Sequence, residues 1–345
     1  MVTNYFLGAN SAKGFASLYS GFCSGEGDFL YIVKAGPGGG KSSFMRRMGE
    51  EAARRGLDVE YVLCSGDPQS LDGVYIPSMK LGFVDGTAPH VVEPRHIGLD
   101  GCYVNLGDFC STNIPESAAQ MICRETEKYQ TQYKKAYGYL ACASSLRETA
   151  LDGVLTDELA QEIRARAQKA VAKHLEGTRK CSEGFIKKRF ISAVSCMGCI
   201  DLSSELCKPY KSVYRVESRL GLSERYLEAV SKYALLAGAQ VIACPSPLRP
   251  EALEAVFLPG VSAAFITGEP GEARCRRVKL DFLVARDSAA VNAAKRHYSA
   301  LLTTATDHLA QAKRHHDALE AAYKPYINFP ALTKYTDEIL KKIYN

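Results

Sequence analysis

No apolar run in the 345 residues approaches the roughly 18 that a membrane-spanning helix requires. The longest, such as Phe29 to Val33, suits a buried strand, so no transmembrane helix is expected. Blocks of like charge and Gly/Pro periods are also missing, which excludes a disordered or collagenous chain. The opening Met-Val-Thr-Asn-Tyr-Phe lacks the charged and apolar regions of a secretory leader, and the expected location is cytoplasmic. Neither sign of charge dominates. A net charge of +5 permits phosphate-bearing partners but is too small and dispersed for a nucleic-acid footprint. What remains is a globular composition, 46% hydrophobic and 23% charged, at a length near two domains of roughly 150 residues each. The twelve cysteines belong to a chain too long to need disulfide staples, so reduced thiols are expected.

An internal repeat organises the sequence. Phe6 to Phe109 overlies Phe190 to Phe282 with an offset that drifts between about 173 and 184 residues, as small loop deletions produce. Ala9, Ser11, Gly14, Leu18 and Cys23 fall on Ala193, Ser195, Gly198, Leu202 and Cys207. Tyr31, Val33 and Gly38 fall on Tyr214, Val216 and Gly221. Pro68, Leu71, Val74 and Pro77 match Pro250, Leu253, Val256 and Pro259 without a gap. In the first copy, strands are expected at Phe29 to Val33, Val59 to Cys64, Leu81 to Val84 and Tyr103 to Leu106. A helix is expected over Ser42 to Arg55, ended by Gly56. Strands alternating with helices imply right-handed crossovers and a mostly parallel sheet.

Each core is followed by helical sequence. Ile122, Tyr129, Tyr133, Ala136, Leu140 and Ala143 recur at helical steps, as do Leu155, Leu159, Ile163, Ala167 and Ala170, with Asp152-Gly153 as the turn of a helical hairpin. Val291 to Leu319 is the counterpart in the second copy, followed by a break at Pro325 and a short terminal helix. The fold class is therefore α/β in two tandem units, residues 1–185 and 186–345, each with a helical appendage.

The chemistry concentrates between the first expected strand and its helix, in Ala35-Gly36-Pro37-Gly38-Gly39-Gly40-Lys41-Ser42 followed by Ser43. This has the form of a Walker A loop. Glycines let backbone N–H groups curl around phosphates, and the helix N-terminus adds its positive end. Lys41 is expected to reach the β- and γ-phosphates and the Ser42 hydroxyl to ligate Mg²⁺. Asp85, at the end of Leu81-Gly82-Phe83-Val84, is where a Walker B aspartate orients the ion. Asp67 lies at a strand end where ligands of open sheets bind, and His90 and Glu93 are further candidates for general base or γ-phosphate sensing. No Glu follows Asp85 directly, so the base is unassigned.

The second copy lacks these groups. In this alignment Glu224 replaces the lysine, Arg225 the serine and Thr267 the aspartate, so no ordinary nucleotide site is expected there. Arg219 or Arg225 could still reach the first site as an arginine finger. Three weaker features read as structural. Cys196-Met197-Gly198-Cys199 lacks partners for a metal site. His297, His308 and His315 read as a solvated helix face near Asp307 and Asp317, and Asn105-Leu106-Gly107-Asp108 lacks the lysine of a guanine-reading loop.

With the loop, Asp85 and the duplication in place, the chain is similar to P-loop NTPases. It resembles more narrowly a bacterial family of duplicated P-loop ATPase-like proteins, over nearly its full length and through the stretches around Lys41, Asp67 and Asp85 to His90. The resemblance implies two P-loop NTPase-like units, ATP binding and hydrolysis. The expected activity is Mg²⁺-dependent ATP hydrolysis at one N-terminal site, with ATP and Mg²⁺ as cofactors. A small-molecule or nucleotide kinase is one alternative. A nucleotide-dependent switch or scaffold, binding a protein partner through the helical hairpins, is another.

Overall fold

The computed structural model describes residues 1–151, 155–176, 184–218, 221–283 and 288–345. The first core runs β1 (Val2–Phe6), a hairpin of β2 (Gly8–Ser11) and β3 (Gly14–Ser17), β4 (Phe29–Lys34), α1 (Lys41–Arg54), β5 (Val59–Leu63), β6 (Leu71–Ile76), β7 (Leu81–Asp85) and β8 (Gly101–Asn105). The helices α2 (Glu116–Leu151) and α3 (Asp157–Leu175) follow. The second core repeats the series: β9 (Ile186–Lys188), a hairpin of β10 (Ser192–Ser195) and β11 (Gly198–Asp201), the single turn α4 (Ser203–Leu206), β12 (Ser212–Glu217) and α5 (Leu222–Leu236). β13 (Val241–Pro245), β14 (Leu253–Leu258), β15 (Ala263–Ile266), β16 (Cys275–Lys279), α6 (Ser288–Tyr323) and α7 (Phe329–Tyr344) complete it.

Both sheets have six strands in one order, β1-β5-β6-β7-β4-β8 and β9-β13-β14-β15-β12-β16. All pairs are parallel except those of β6 and β14, each antiparallel to both neighbours. Two tandem α/β units with mostly parallel sheets are thus present. β1 and β6 were not evident beforehand. Asp72-Gly73 carries turn residues, yet β6 is buried along nearly all its length. The expected strand at Tyr103 starts two residues earlier, and Leu106 already begins a 3₁₀ turn.

The helical appendages depart from the expected hairpins. The two 36-residue helices α2 and α6 pack on each other, bringing Ala136, Leu140 and Ala143 together with Ala305 and Leu309. At 1.5 Å per residue each spans about 54 Å, enough to carry the next helix past its own sheet. α3 therefore covers the second core, where Ile163, Ala167 and Val171 bury against Tyr226 and Val230. α7 covers the first, where Leu332 and Tyr344 join Phe44 and Met48, and the Tyr344 hydroxyl donates to Met48 O at 2.7 Å. The two halves exchange their last helices. The expected turn at Asp152-Gly153 lies outside the described residues.

The cores meet reciprocally. Phe6 N donates to Phe190 O and Phe190 N to Phe6 O, both at 2.9 Å. Ala12 N donates to Leu248 O and Cys196 N to Gly66 O, both at 3.0 Å. Because residue i contacts j as i's repeat contacts j's repeat, the halves are related as the subunits of a two-fold dimer. Arg189 crosses this junction to Glu60 at 2.5 Å, its guanidinium 4.0 Å from the centroid of the Tyr5 ring. No described helix is long and apolar enough to cross a membrane.

Candidate functional site

Six residues, 35–40, join β4 to α1. Gly38 and Gly40 sit at φ of +68° and +81°, in the left-handed region that favours glycine. At Gly39 a Cβ would fall 2.6 Å from Ala35 Cβ, so the turn closes only without a side chain there. Lys41, the first residue of α1, folds back so that Nζ donates to Ala35 O at 2.8 Å and Gly36 O at 3.3 Å. The parallel register pairs Val33 with Asp85, which brings the end of β7 beside the loop. Asp85 Oδ2 lies 3.6 Å from Lys41 Nζ. Its Oδ1 accepts from Thr87 N at 2.8 Å and Thr87 Oγ1 at 2.6 Å, which fixes the carboxylate and leaves Oδ2 facing the lysine. Ser42 Oγ accepts from Leu71 N at 3.0 Å, and Ser43 is exposed on α1.

The other expected residues are placed differently. Asp67 accepts from Gln69 N and Ser70 Oγ, both at 3.2 Å, and pairs with Lys313 of α6 at 3.5 Å. His90 is enclosed between Phe15 and Tyr19, ring centroids 5.0 and 4.8 Å away. Its Nε2 faces Asp72 Oδ2 at 3.3 Å, so it is a packed partner of a buried acid rather than a group on the loop surface. Glu93 is exposed and pairs with Lys34 at 3.2 Å. Lys41 and Asp85 therefore meet, Ser42 beside Lys41 holds Leu71 N, Asp67 is tied to α6 through Lys313, and His90 and Glu93 have other partners.

Two groups escaped the sequence reading. Asp72, on β6, accepts from the Tyr19 hydroxyl at 3.0 Å, and burial pushes its carboxyl above the usual range. The ungapped repeat held a hint, because Leu71 and Leu253 are each followed by an acid, Asp72 and Glu254. The second group comes from α6, which crosses from the other half onto the loop. Glu320 Oε1 accepts from Gly38 N at 3.3 Å, and one ligand atom from each of His316, Asp317 and Glu320 lie within 4.8 Å of one another. Burial holds the His316 imidazole below its ordinary range. No local motif marks these residues, because their role depends on where α6 ends up. His308 and His315 are not a solvated face. They bond Gln132 and Glu125 of α2, each at 2.7 Å, while His297 is exposed. Cys196 and Cys199 are free thiols on the second hairpin, and Asn105 donates to Asp108 at 2.6 Å.

The second core corrects the loop alignment. Gly221, at φ +68°, caps α5 as Gly40 caps α1, so it corresponds to Gly40 and not to Gly38. Only residues 218–221 join β12 to α5, two fewer than in the first copy. Leu222 therefore takes the place of Lys41 and Ser223 that of Ser42. Glu224 is bound by Arg147 and by Arg249 at 3.2 Å, and Arg225 pairs with Glu228 on its own exposed helix face at 3.1 Å. Arg225 is thus no finger for the first site, and Arg219 lies outside the described residues. Thr267 follows β15 where Asp85 ends β7, and donates to Glu254 O at 3.1 Å.

No family model, curated protein or solved structure matches this chain.

Proposed function

We propose that the first unit is a P-loop nucleotide site that binds ATP with Mg²⁺ and hydrolyses it slowly, and that the second unit has none. The observation that carries this reading is the six-residue glycine turn into α1, with Lys41 Nζ 3.6 Å from the Asp85 carboxylate on the neighbouring strand. The loop also already holds an anion: the Glu320 carboxylate accepts from Gly38 N, where the reading puts a phosphate oxygen. Amides of residues 36–43 and Lys41 hold the β- and γ-phosphates. Ser42 Oγ and Asp85 Oδ2 are the oxygens that would hold Mg²⁺, a hard cation that, when bound, would neutralise charge developing on the phosphates. Asp67, paired with Lys313, is the candidate to position water or another acceptor.

The Glu320 contact favours a second role for the same site, as a switch. A phosphate that takes the Gly38 amide must displace Glu320 and so bias α6, which packs along α2. Turnover and binding of ATP and GTP by the wild type, Lys41→Ala and Asp85→Ala test the proposal. Expected are ATP-dependent phosphate release and its loss in both variants. Equally weak Mg·ATP binding by wild type and Lys41→Ala would refute it. Tight binding with negligible turnover selects the switch.

A further inference from the structure

The hairpin of β10 and β11, the ends of β14 and β15 and the N-terminal part of α6 line a cleft of about 240 Å³ in the second unit. Glu254 reaches into it, both carboxylate oxygens accepting from Ser192 Oγ at 2.7 and 2.9 Å. Asp201 lies beside it, Oδ1 held by Ser203 N at 2.8 Å. Among the described residues no Lys, Arg or His lines this space, and the nearby Arg147 is engaged with Glu224. The remaining walls are largely apolar, with Val194, Leu248 and Leu302 around the Tyr298 ring. Two acids thus line a partly open, mostly apolar space with no cation among its described lining residues, so their charged forms are disfavoured unless something pairs with them.

The first unit shows what that something resembles. Glu254 corresponds to Asp72, Cys199 to Phe15 and Ser203 to Tyr19, as the matching strand registers and the paired bonds Leu18 N to Leu7 O and Leu202 N to Ile191 O require. In the first unit the His90 imidazole sits against Asp72, sandwiched by Phe15 and Tyr19. In the second unit both rings are replaced by small side chains. The loop after β15 is also shorter, running from 267 to 274 against 86 to 100, and its sequence holds no histidine. The acid is kept while the imidazole and the rings that held it are gone.

We propose that this cavity binds a small organic cation, an imidazolium or an amine on a compact apolar or aromatic body, with Glu254 and Asp201 pairing its charge and Tyr298 packing on its body. The volume falls below the roughly 300–1,000 Å³ of pockets for larger ligands, which excludes a nucleotide or peptide. Burial lifts the Glu254 carboxyl to about 8, consistent with an acid that lacks a permanent counter-charge. Among the described residues the titratable groups that interact with it are Asp201, Cys244 and Tyr298, while the arginines near these, Arg189 and Arg147, pair with Glu60 and Glu224 instead. The site is independent of the nucleotide reading, since it shares no residue with the glycine loop.

Histamine and 4-methylimidazole, titrated calorimetrically into the full chain, probe this directly, with p-cresol and benzoate as neutral and anionic controls of similar size. One saturable equivalent of either cation is expected. Glu254→Gln should weaken it by about tenfold or more, as expected for a lost charge-assisted bond. Cys199→Phe with Ser203→Tyr, which restores the first unit's rings, should abolish it, with folding of both variants checked by circular dichroism. Absence of saturable binding of both cations overturns the proposal. So does binding indifferent to Glu254→Gln in a folded variant, or p-cresol binding as tightly as the cations, which would mark a merely apolar hole.

Discussion

The two halves of this chain share strand order, hairpin, capping glycine and a 36-residue helix, yet differ at the two places where chemistry could occur. The first joins strand to helix with six residues and puts a lysine at the helix start. The second uses four and puts Leu222 there. Behind the loop the first fills its space with His90, Phe15 and Tyr19 over Asp72, whereas the second leaves a cavity over Glu254. Duplication has kept what builds the sheet and changed what lines its working edge. Each copy thereby controls for the other.

Installing the second unit's residue in the first gives the largest expected effect. Lys41→Leu should lower ATP turnover by about 10²–10³-fold, because the charge facing the transferred phosphate is lost. Steady-state phosphate release measures it. The exchanged helices come next. Leu332→Ala should destabilise the first core and Ile163→Ala the second, each by about 2–4 kcal/mol. Denaturant titration followed by hydrogen exchange of α1 and α5 shows which core loosens. If each change weakened the core of its own half instead, the exchange would be wrong.

Glu254 should leave a pH signature. Its folded-state value near 8, against an ordinary 4.5, means that between those values the folded chain holds a proton the unfolded chain releases. Its contribution is thus present below about pH 4.5 and lost as pH rises through 8, and Glu254→Gln should flatten that decline, by roughly 1–3 kcal/mol. Unfolding midpoints at pH 5 and pH 8.5 report it. His90→Ala should cost about 1–2 kcal/mol by removing one of the partners of the buried Asp72 and emptying the space between Phe15 and Tyr19. It should also open in the first unit a space that 4-methylimidazole refills, seen as partial recovery of the midpoint. The smallest effect belongs to the Asp67–Lys313 pair, partly exposed and worth about 0.5 kcal/mol at most. Lys313→Ala should barely move stability.

Much of this was legible from sequence because its causes are local. Glycines at fixed spacing before a lysine, a β-branched run before them and an ungapped repeat of proline, leucine and valine need no tertiary information. The helix exchange was not legible. A three- and four-residue apolar step fixes that Ile163, Ala167 and Val171 share a face, but not which of two similar sheets receives it. Glu320 and His316 went unseen for the same reason, since α6 is far from the loop in sequence and crosses to it only through its packing on α2. The alignment of the degenerate loop also failed on a tertiary fact. Gly221 can be laid on Gly38 or Gly40, and only its left-handed cap at the start of α5 decides between them. Asp72 hid in a strand whose Asp-Gly pair reads as a turn.

The most direct test of one module used twice, with nucleotide chemistry in one copy, is the stoichiometry of Mg·ATP binding to the full chain by calorimetry, beside Lys41→Leu. One equivalent per chain, lost in the variant, is the predicted result. Two equivalents, or one that survives Lys41→Leu, would contradict it.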